Sequence, residues 1–290
     1  MRLFITGANS FVAEYVIKAC NKNNIDWFGV DITPSSNKKI ATCDILDKDI
    51  YKYINKNDII LHLAASSSDS LARNNFDNCY DINLLGTLNL FNAAKKSAAT
   101  KFIFASTEWV YGDKCSNLMT EDNAVNILNL NSEYAKSKLL SEYLLLSRRN
   151  EGIINIILRF GIIYGMRNNN HSAFESIILN CINNNVVKIG SAKTARRFIN
   201  VGLVANTIID NIKVFDSGIY NIASAELVNL GQIIEATSIV LKRNIDLVEI
   251  NPDEYTIRNV HSKYDNLRML DSEMTLNMKI QELVNYYKNA

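Results

Sequence analysis

The chain opens Arg2-Leu3-Phe4-Ile5-Thr6-Gly7-Ala8-Asn9-Ser10-Phe11-Val12-Ala13, and the reading of this stretch decides the fold. Arg2 to Thr6 is a short apolar strand, Gly7 opens a turn, and a helical period runs from Val12 to Lys22. Strand, glycine turn and helix in that order open a dinucleotide-binding unit, where backbone N–H groups and the positive helix end approach a pyrophosphate. Glycine suits the turn because a Cβ would block that approach. Of the usual glycines only Gly7 is retained, with Ser10 and Ala13 at the other two places. Gly7, Asn9, Ser10, Phe11 and Val12 are the candidate cofactor contacts of this turn.

Outward from the turn, the strand Trp27-Phe28-Gly29-Val30 ends on Asp31. That is close to the roughly 20-residue spacing at which an acid receives the adenosine ribose hydroxyls. A carboxylate there repels a 2′-phosphate, so NAD is expected over NADP. Lys38 and Lys39 lie near enough to work against this, although a solvated loop is their expected place. Ile40 to Ile45 reads as an edge strand, with Asp44 and Ile45 as neighbours of an adenine or Asp44 as the N-cap of the next helix. Asp58 to Ala65 reads as a buried parallel strand closing on Leu63, Ala64 and Ala65, where a cofactor backbone can come close. His62 within it is expected to be a core histidine and not a metal ligand.

A helix from Asn83 to Ser97 precedes the strand Lys101-Phe102-Ile103-Phe104-Ala105, which runs into Ser106-Thr107-Glu108-Trp109-Val110-Tyr111-Gly112. Its hydroxyls stand at a strand's carboxyl end, where ligands of open α/β sheets collect. Next comes Ser132-Glu133-Tyr134-Ala135-Lys136-Ser137-Lys138, with a phenol and an ammonium four residues apart on one helix face. A tyrosine titrates near ~10, and bringing it to ~7 needs about 4 kcal/mol of preference for the phenolate. A nearby cation supplies roughly 1–3 units. Lys138 is expected to supply much of that shift and the positive nicotinamide ring of an oxidised dinucleotide the remainder, poising Tyr134 to take a proton from a substrate hydroxyl as hydride leaves the same carbon.

Alternating strands and helices, continued by the buried strand Ile153 to Phe160, predict an α/β chain with a Rossmann-type doubly wound parallel sheet. The expected organisation is a dinucleotide-binding domain over residues 1–165, with a returning segment at about 196–224. A smaller α/β substrate-binding domain, mainly 166–290 and discontinuous in sequence, is expected to cap its cleft.

With 290 residues and a formal net charge of +1, the chain shows no basic stripe that would point to nucleic acid or an anionic membrane. Five cysteines without C-x-x-C spacing suggest neither a disulfide framework nor a zinc site. No apolar run is long enough to span a bilayer, and the cytoplasm is the expected compartment.

Thr6-Gly7, Asp31, Asp44-Ile45, His62 to Ala65, Asn83, Thr107, Val110-Tyr111-Gly112, Tyr134, Lys138, Leu158-Arg159-Phe160-Gly161, Tyr164-Gly165 and Arg196 occur in order. Through them the chain resembles the extended short-chain dehydrogenases, and more narrowly their nucleotide-sugar epimerase/dehydratase branch, over nearly its whole length. The resemblance implies Tyr134 as acid/base, Lys138 binding the nicotinamide ribose, and Thr107 hydrogen-bonding the reacting sugar hydroxyl. It also implies a structural or cofactor-proximal Asn83, and Arg196 meeting the nucleotide's phosphates or ribose, with Arg258 as a looser second contact. Glu108 and Trp109 follow Thr107 on the substrate side, where dehydratases of this branch carry an acidic pair. With Trp109 in the second place, the base needed for β-elimination is missing. Ile162 and Met166 also depart from the branch, which usually has asparagine and proline there.

The function this implies is an NAD-dependent nucleotide-sugar epimerase that oxidises transiently to a 4-keto sugar. The alternatives are a reductase of 4-keto sugar nucleotides, or a dinucleotide-binding regulatory protein without catalysis. The resemblance further implies a homodimer paired through the helices around 83–97 and 132–147.

Overall fold

A computed structural model describes residues 1–67, 73, 75–169 and 171–289, apart from the side chains of residues 114–116. Its first compact unit comprises Met1–Val110, Val125–Arg159 and Val204–Tyr220; its second comprises Tyr111–Ala124, Phe160–Leu203 and Asn221–Ala290.

The first unit is built on a seven-stranded sheet of β1 (Arg2–Thr6), β2 (Asp26–Asp31), β3 (Ile40–Thr42), β4 (Ile59–His62), β5 (Lys101–Thr107), β6 (Ile154–Phe160) and β7 (Gly218–Ile222). Their order across the sheet is β7-β6-β5-β4-β1-β2-β3. The pairs β1–β2, β2–β3, β1–β4 and β4–β5 are parallel, with Leu3 between Trp27 and Ile59, and Thr6 between Val30 and His62. After β3 the chain returns to the other side of β1, so the strand order reverses between β1 and β4. Ligands of open α/β sheets gather at the carboxyl ends on either side of such a reversal. Here those ends carry Gly7 and Leu63-Ala64-Ala65.

The strands are apolar because both sheet faces are covered. Phe4, Ile60, Phe102, Phe104 and Ile157 are buried with Leu90 and Phe91 in one core. Helix α1 (Phe11–Lys22) takes Ser10 as its N-cap. Helix α2 runs from Phe76 to Lys96, starting earlier than the spacing predicts, and Asp81–Gly86 within it forms a π-helical turn. Helix α3 (Glu133–Ser147) is capped by Ser132, whose side chain accepts from Ala135 N at 3.1 Å.

In the second unit, helices Ala173–Asn183, Leu230–Leu241 and Leu276–Asn289 share a core around Phe174, Ile178, Ile233, Ile280 and Leu283. Beside them, a four-stranded sheet orders Val228–Asn229, Ala195–Arg196, Ile257–Val260 and Lys114–Met119. A strand at Val186–Ile189 pairs in parallel with Asp246–Glu249.

Cys20, Cys43, Cys79 and Cys181 are buried free thiols, while the side chain of Cys115 lies outside the described residues. Among the described residues, no helix is long and apolar enough to cross a membrane, and no His, Cys, Asp or Glu group is placed to hold a metal.

Candidate active site

The glycine turn after β1 needs its glycine twice over. Gly7 has φ +67°, and a Cβ there would meet the backbone N of Ala64 at 2.8 Å. The turn is thereby drawn onto the end of β4, where Leu63 N donates to Thr6 O at 3.2 Å and Ala64 N to Thr6 Oγ1 at 3.3 Å. Ser10, standing where a second glycine is usual, caps the helix by accepting from Ala13 N at 3.4 Å. Phe11 and Val12 follow as the first residues of α1, both partly buried.

Asp31 closes β2 beside this turn. One carboxylate oxygen accepts from Asn9 N at 3.0 Å, and the other from Thr33 N at 2.9 Å and Thr33 Oγ1 at 2.7 Å. A carboxylate has about four acceptor positions, so capacity remains for a ribose hydroxyl. Lys39 is drawn away, pairing with Asp26 at the opposite end of β2 at 3.1 Å. A left-handed turn without room for a Cβ, a capped twelve-residue helix directly after it, and an anchored acid at the next strand's end fit a dinucleotide.

Asp44 and Ile45, expected beside an adenine, follow closely after β3. The Ile45 side chain is buried in the core and touches α2, where a Cβ on Gly86 would meet its Cδ1 at 2.5 Å. It is a packing residue because Gly86 leaves a space that it fills. Asp44 is exposed and accepts from Leu46 N at 2.9 Å, while the N-cap of the next helical turn is Asp47.

Asn83 explains the π turn. Its side chain accepts from Ser66 N at 2.8 Å and donates to Ser66 O at 3.0 Å and Ser137 Oγ at 2.9 Å. It thus ties the segment after β4 to α3. Its carbonyl lies 2.6 Å from the Thr87 hydroxyl and 2.8 Å from the Ser141 hydroxyl. A π turn disturbs the ordinary ladder, and side chains here supply partners for the carbonyl. His62 is the core histidine expected, with Nδ1 2.8 Å from Thr6 Oγ1 and Nε2 2.9 Å from Thr87 Oγ1. Burial, with the Lys138 charge second, pushes it down to about 3.

Thr107 at the end of β5 is hydrogen-bonded to Tyr134 on α3. One turn along, Lys138 is 2% exposed; its Nζ donates to Ala105 O at 2.8 Å and lies 4.6 Å from the centroid of Phe104. Thr107, Tyr134 and Lys138 therefore gather around the end of one strand. The electrostatics run opposite to the expectation. Tyr134 is pushed up to about 12, first by burial, with the Thr107 hydrogen bond acting downward. Lys138 is pushed down to about 7, first by burial, against Cys79 and Glu142. Desolvation is the first cause of both shifts, because it disfavours the charged form of each group.

The sequence reading missed what holds α3 in place. Glu142, one turn beyond Lys138, is fully buried and pairs with Arg159 of β6 through Nε at 3.1 Å and Nη2 at 2.6 Å. Ser106, next to Thr107, hydrogen-bonds the same carboxylate. The available signal was an acid four residues after the lysine, on a helix whose leucines run all round.

Glu108 is fully buried, whereas Trp109 is half-buried and meets the Tyr134 ring edge-to-face with centroids 6.4 Å apart. Of the two residues after Thr107, it is the tryptophan that meets the phenol ring. The second unit holds the remaining candidates. Ala195 pairs with Ile257 in parallel, so one residue further along Arg196 and Arg258 lie side by side. Both are buried: Arg196 reaches Thr256 O at 2.8 Å, and Arg258 reaches Gly112 O at 2.9 Å and the Asp113 carboxylate. Like charges abreast on neighbouring strands cost stability unless an anion shares them.

The chain is similar to known proteins over its whole length. A putative UDP-glucose 4-epimerase of Methanocaldococcus jannaschii is 26% identical over 99% of this chain and 98% of its own. Among solved structures, a UDP-glucuronic acid 4-epimerase variant of Bacillus cereus, in complex with a fluorinated UDP-sugar and NAD, superposes with a TM-score of 0.86 at 23% identity. It covers 100% of this chain and 99% of its own. The UDP-glucose 4-epimerase of Thermus thermophilus with NAD gives a TM-score of 0.80 at 19% identity, with 100% of both chains covered. The family model of the NAD dependent epimerase/dehydratase family matches residues 3–223, and the chain belongs to that family.

Proposed function

We propose that the protein is an NAD-dependent epimerase of nucleotide sugars that works through transient oxidation at the sugar's carbon 4. The observation that carries the reading is the joint placement of Thr107, Tyr134 and Lys138 at the carboxyl end of β5. A relative matched over 99% of this chain and bearing the name putative UDP-glucose 4-epimerase supports it.

Gly7, Asn9, Ser10, Phe11 and Val12 would hold the dinucleotide's phosphates, Asp31 its adenosine ribose, and Leu63, Ala64, Ala65 and Asn83 its nicotinamide half. NAD, when bound, supplies the hydride acceptor and a positive ring whose field favours the phenolate. Tyr134 takes the proton of the sugar 4-hydroxyl and later returns it. Thr107 holds that hydroxyl and stabilises the phenolate by hydrogen bonding. Lys138 binds the nicotinamide ribose, its ammonium steadied by the Ala105 carbonyl. The second unit is the substrate-binding domain in this reading, with Arg196 and Arg258 sharing the nucleotide's diphosphate.

Elimination needs a second base, and the half-buried indole of Trp109 cannot serve as one. The exposed Leu85 on α2 and Tyr143 on α3 support pairing of two copies through these helices. Light scattering would then report twice 32.7 kDa, and a monomer mass would end that part of the reading.

The test is turnover of UDP-hexoses by purified protein without added reductant, the 4-epimer being followed by NMR. Steady consumption of NADH with a 4-keto sugar nucleotide, and no epimer, would replace the epimerase by a reductase.

A further inference from the structure

We infer that Trp109 is the surface on which the sugar ring rests, and that it selects a neutral hexose over a hexuronate; this rests on the epimerase reading. The short helical turn Glu108–Tyr111 sends its residues in different directions. Glu108 and Val110 are fully buried, while Trp109 between them is partly exposed. Its backbone N donates to Thr107 Oγ1 at 3.3 Å, so the residue is tied to the hydroxyl that bonds Tyr134. The indole meets the phenol ring at 77°. A substrate hydroxyl placed against Thr107 and Tyr134 therefore brings its sugar ring beside an aromatic face.

An aromatic face is electron-rich, and the C–H edges of a pyranose are weakly positive and apolar, so the two pack favourably. A carboxylate gains nothing from that face and loses its hydration against it. Lys138 is turned to the Ala105 carbonyl and the Phe104 ring. An acid at the carbon 6 position is disfavoured wherever it meets this face.

The chain has two tryptophans, and Trp27 is buried on β2, so a Trp27→Phe background leaves Trp109 as the reporter. NAD-loaded Trp27→Phe protein is titrated with UDP, UDP-glucose and UDP-glucuronate while indole emission is recorded. UDP-glucose is expected to change Trp109 emission beyond UDP alone. In steady state, Trp109→Ala is expected to raise KM for UDP-glucose about tenfold with kcat within about threefold, and Trp109→Phe to restore most of the loss. Wild-type preference for UDP-glucose over UDP-glucuronate is expected to be at least tenfold and to shrink in Trp109→Ala. Identical emission with UDP and UDP-glucose, or an unchanged KM in an active Trp109→Ala enzyme, overturns the inference and leaves the epimerase reading standing. A sugar-dependent emission change without epimer formation supports the inference and removes the epimerase reading.

Discussion

Among the described residues, each unit of this protein buries one lysine, and the two neighbourhoods solve the same problem in opposite ways. Lys279, 3% exposed in the C-terminal helix, lies 2.8 Å from the Asp271 carboxylate, which is itself buried, with Glu226 at 3.8 Å. Lys138, 2% exposed, faces a carbonyl and an aromatic ring, and burial pushes it down to about 7. A buried ion pair is costly to break, because removing one partner strands the other. A buried lysine held by neutral groups can gain or lose its proton near neutral pH. The difference teaches where the fold holds a charge fixed and where it leaves one ready to respond to a ligand.

The largest effect that sharpens this contrast is expected on the chemistry beside Lys138. Tyr134→Phe keeps the ring and its contact with Trp109 but removes the hydroxyl, and kcat should fall on the order of 10⁴-fold while NAD affinity holds. A loss below tenfold in single-turnover assays would move the proton chemistry to another group. Lys279→Met should cost about 3–5 kcal/mol, read as a lowered urea midpoint, because Asp271 is left buried without its cation. Activity per folded molecule should stay near wild type, and a fall matching that of Lys138 variants would erase the distinction between the two lysines.

Lys138→Met should lower kcat about 10²-fold. It should leave stability at pH 7 unchanged or raised, since no carboxylate partner is stranded. Its folded pKa lies near 7 against 10.5 for an unburied lysine, so between these values the unfolded chain binds more protons. Wild-type stability should therefore rise with pH from about 7 toward 10.5, with the full penalty below 7. Lys138→Met should flatten that rise, and persistence of the slope in urea titrations across pH would place it elsewhere. Smallest is Thr107→Val, expected to cost about tenfold in kcat/KM through one lost hydrogen bond. Because that bond acts to lower the Tyr134 pKa, the limb of the rate profile on which activity rises with pH should also move to higher pH. An unmoved limb would separate Thr107 from the phenol's titration.

Much of this was legible along the chain. The strand, glycine turn and helix at residues 2–22, the Asp31 spacing and the Tyr134–Lys138 spacing are local patterns, and each forms as read. The start of α2 was not legible. Asn83 and Gly86 are weak helix formers, which argues for a boundary, yet bonds from Asn83 to Ser66 and Ser137 keep a π turn in the middle of the helix. Arg258, read as the looser phosphate candidate, gains weight only from lying beside Arg196.

What the sequence determined by itself is therefore what repeats within a turn or a strand: the doubly wound order, the cofactor turn and the phenol–ammonium pair on one helix face. Tertiary structure alone decided that Glu142 pairs with Arg159, that Trp109 meets Tyr134, and that Arg196 lies beside Arg258. It also decided the sign of the Tyr134 and Lys138 shifts. The reason is physical: spacing places two groups on one face, whereas their charge states depend on how much water the whole fold removes from them.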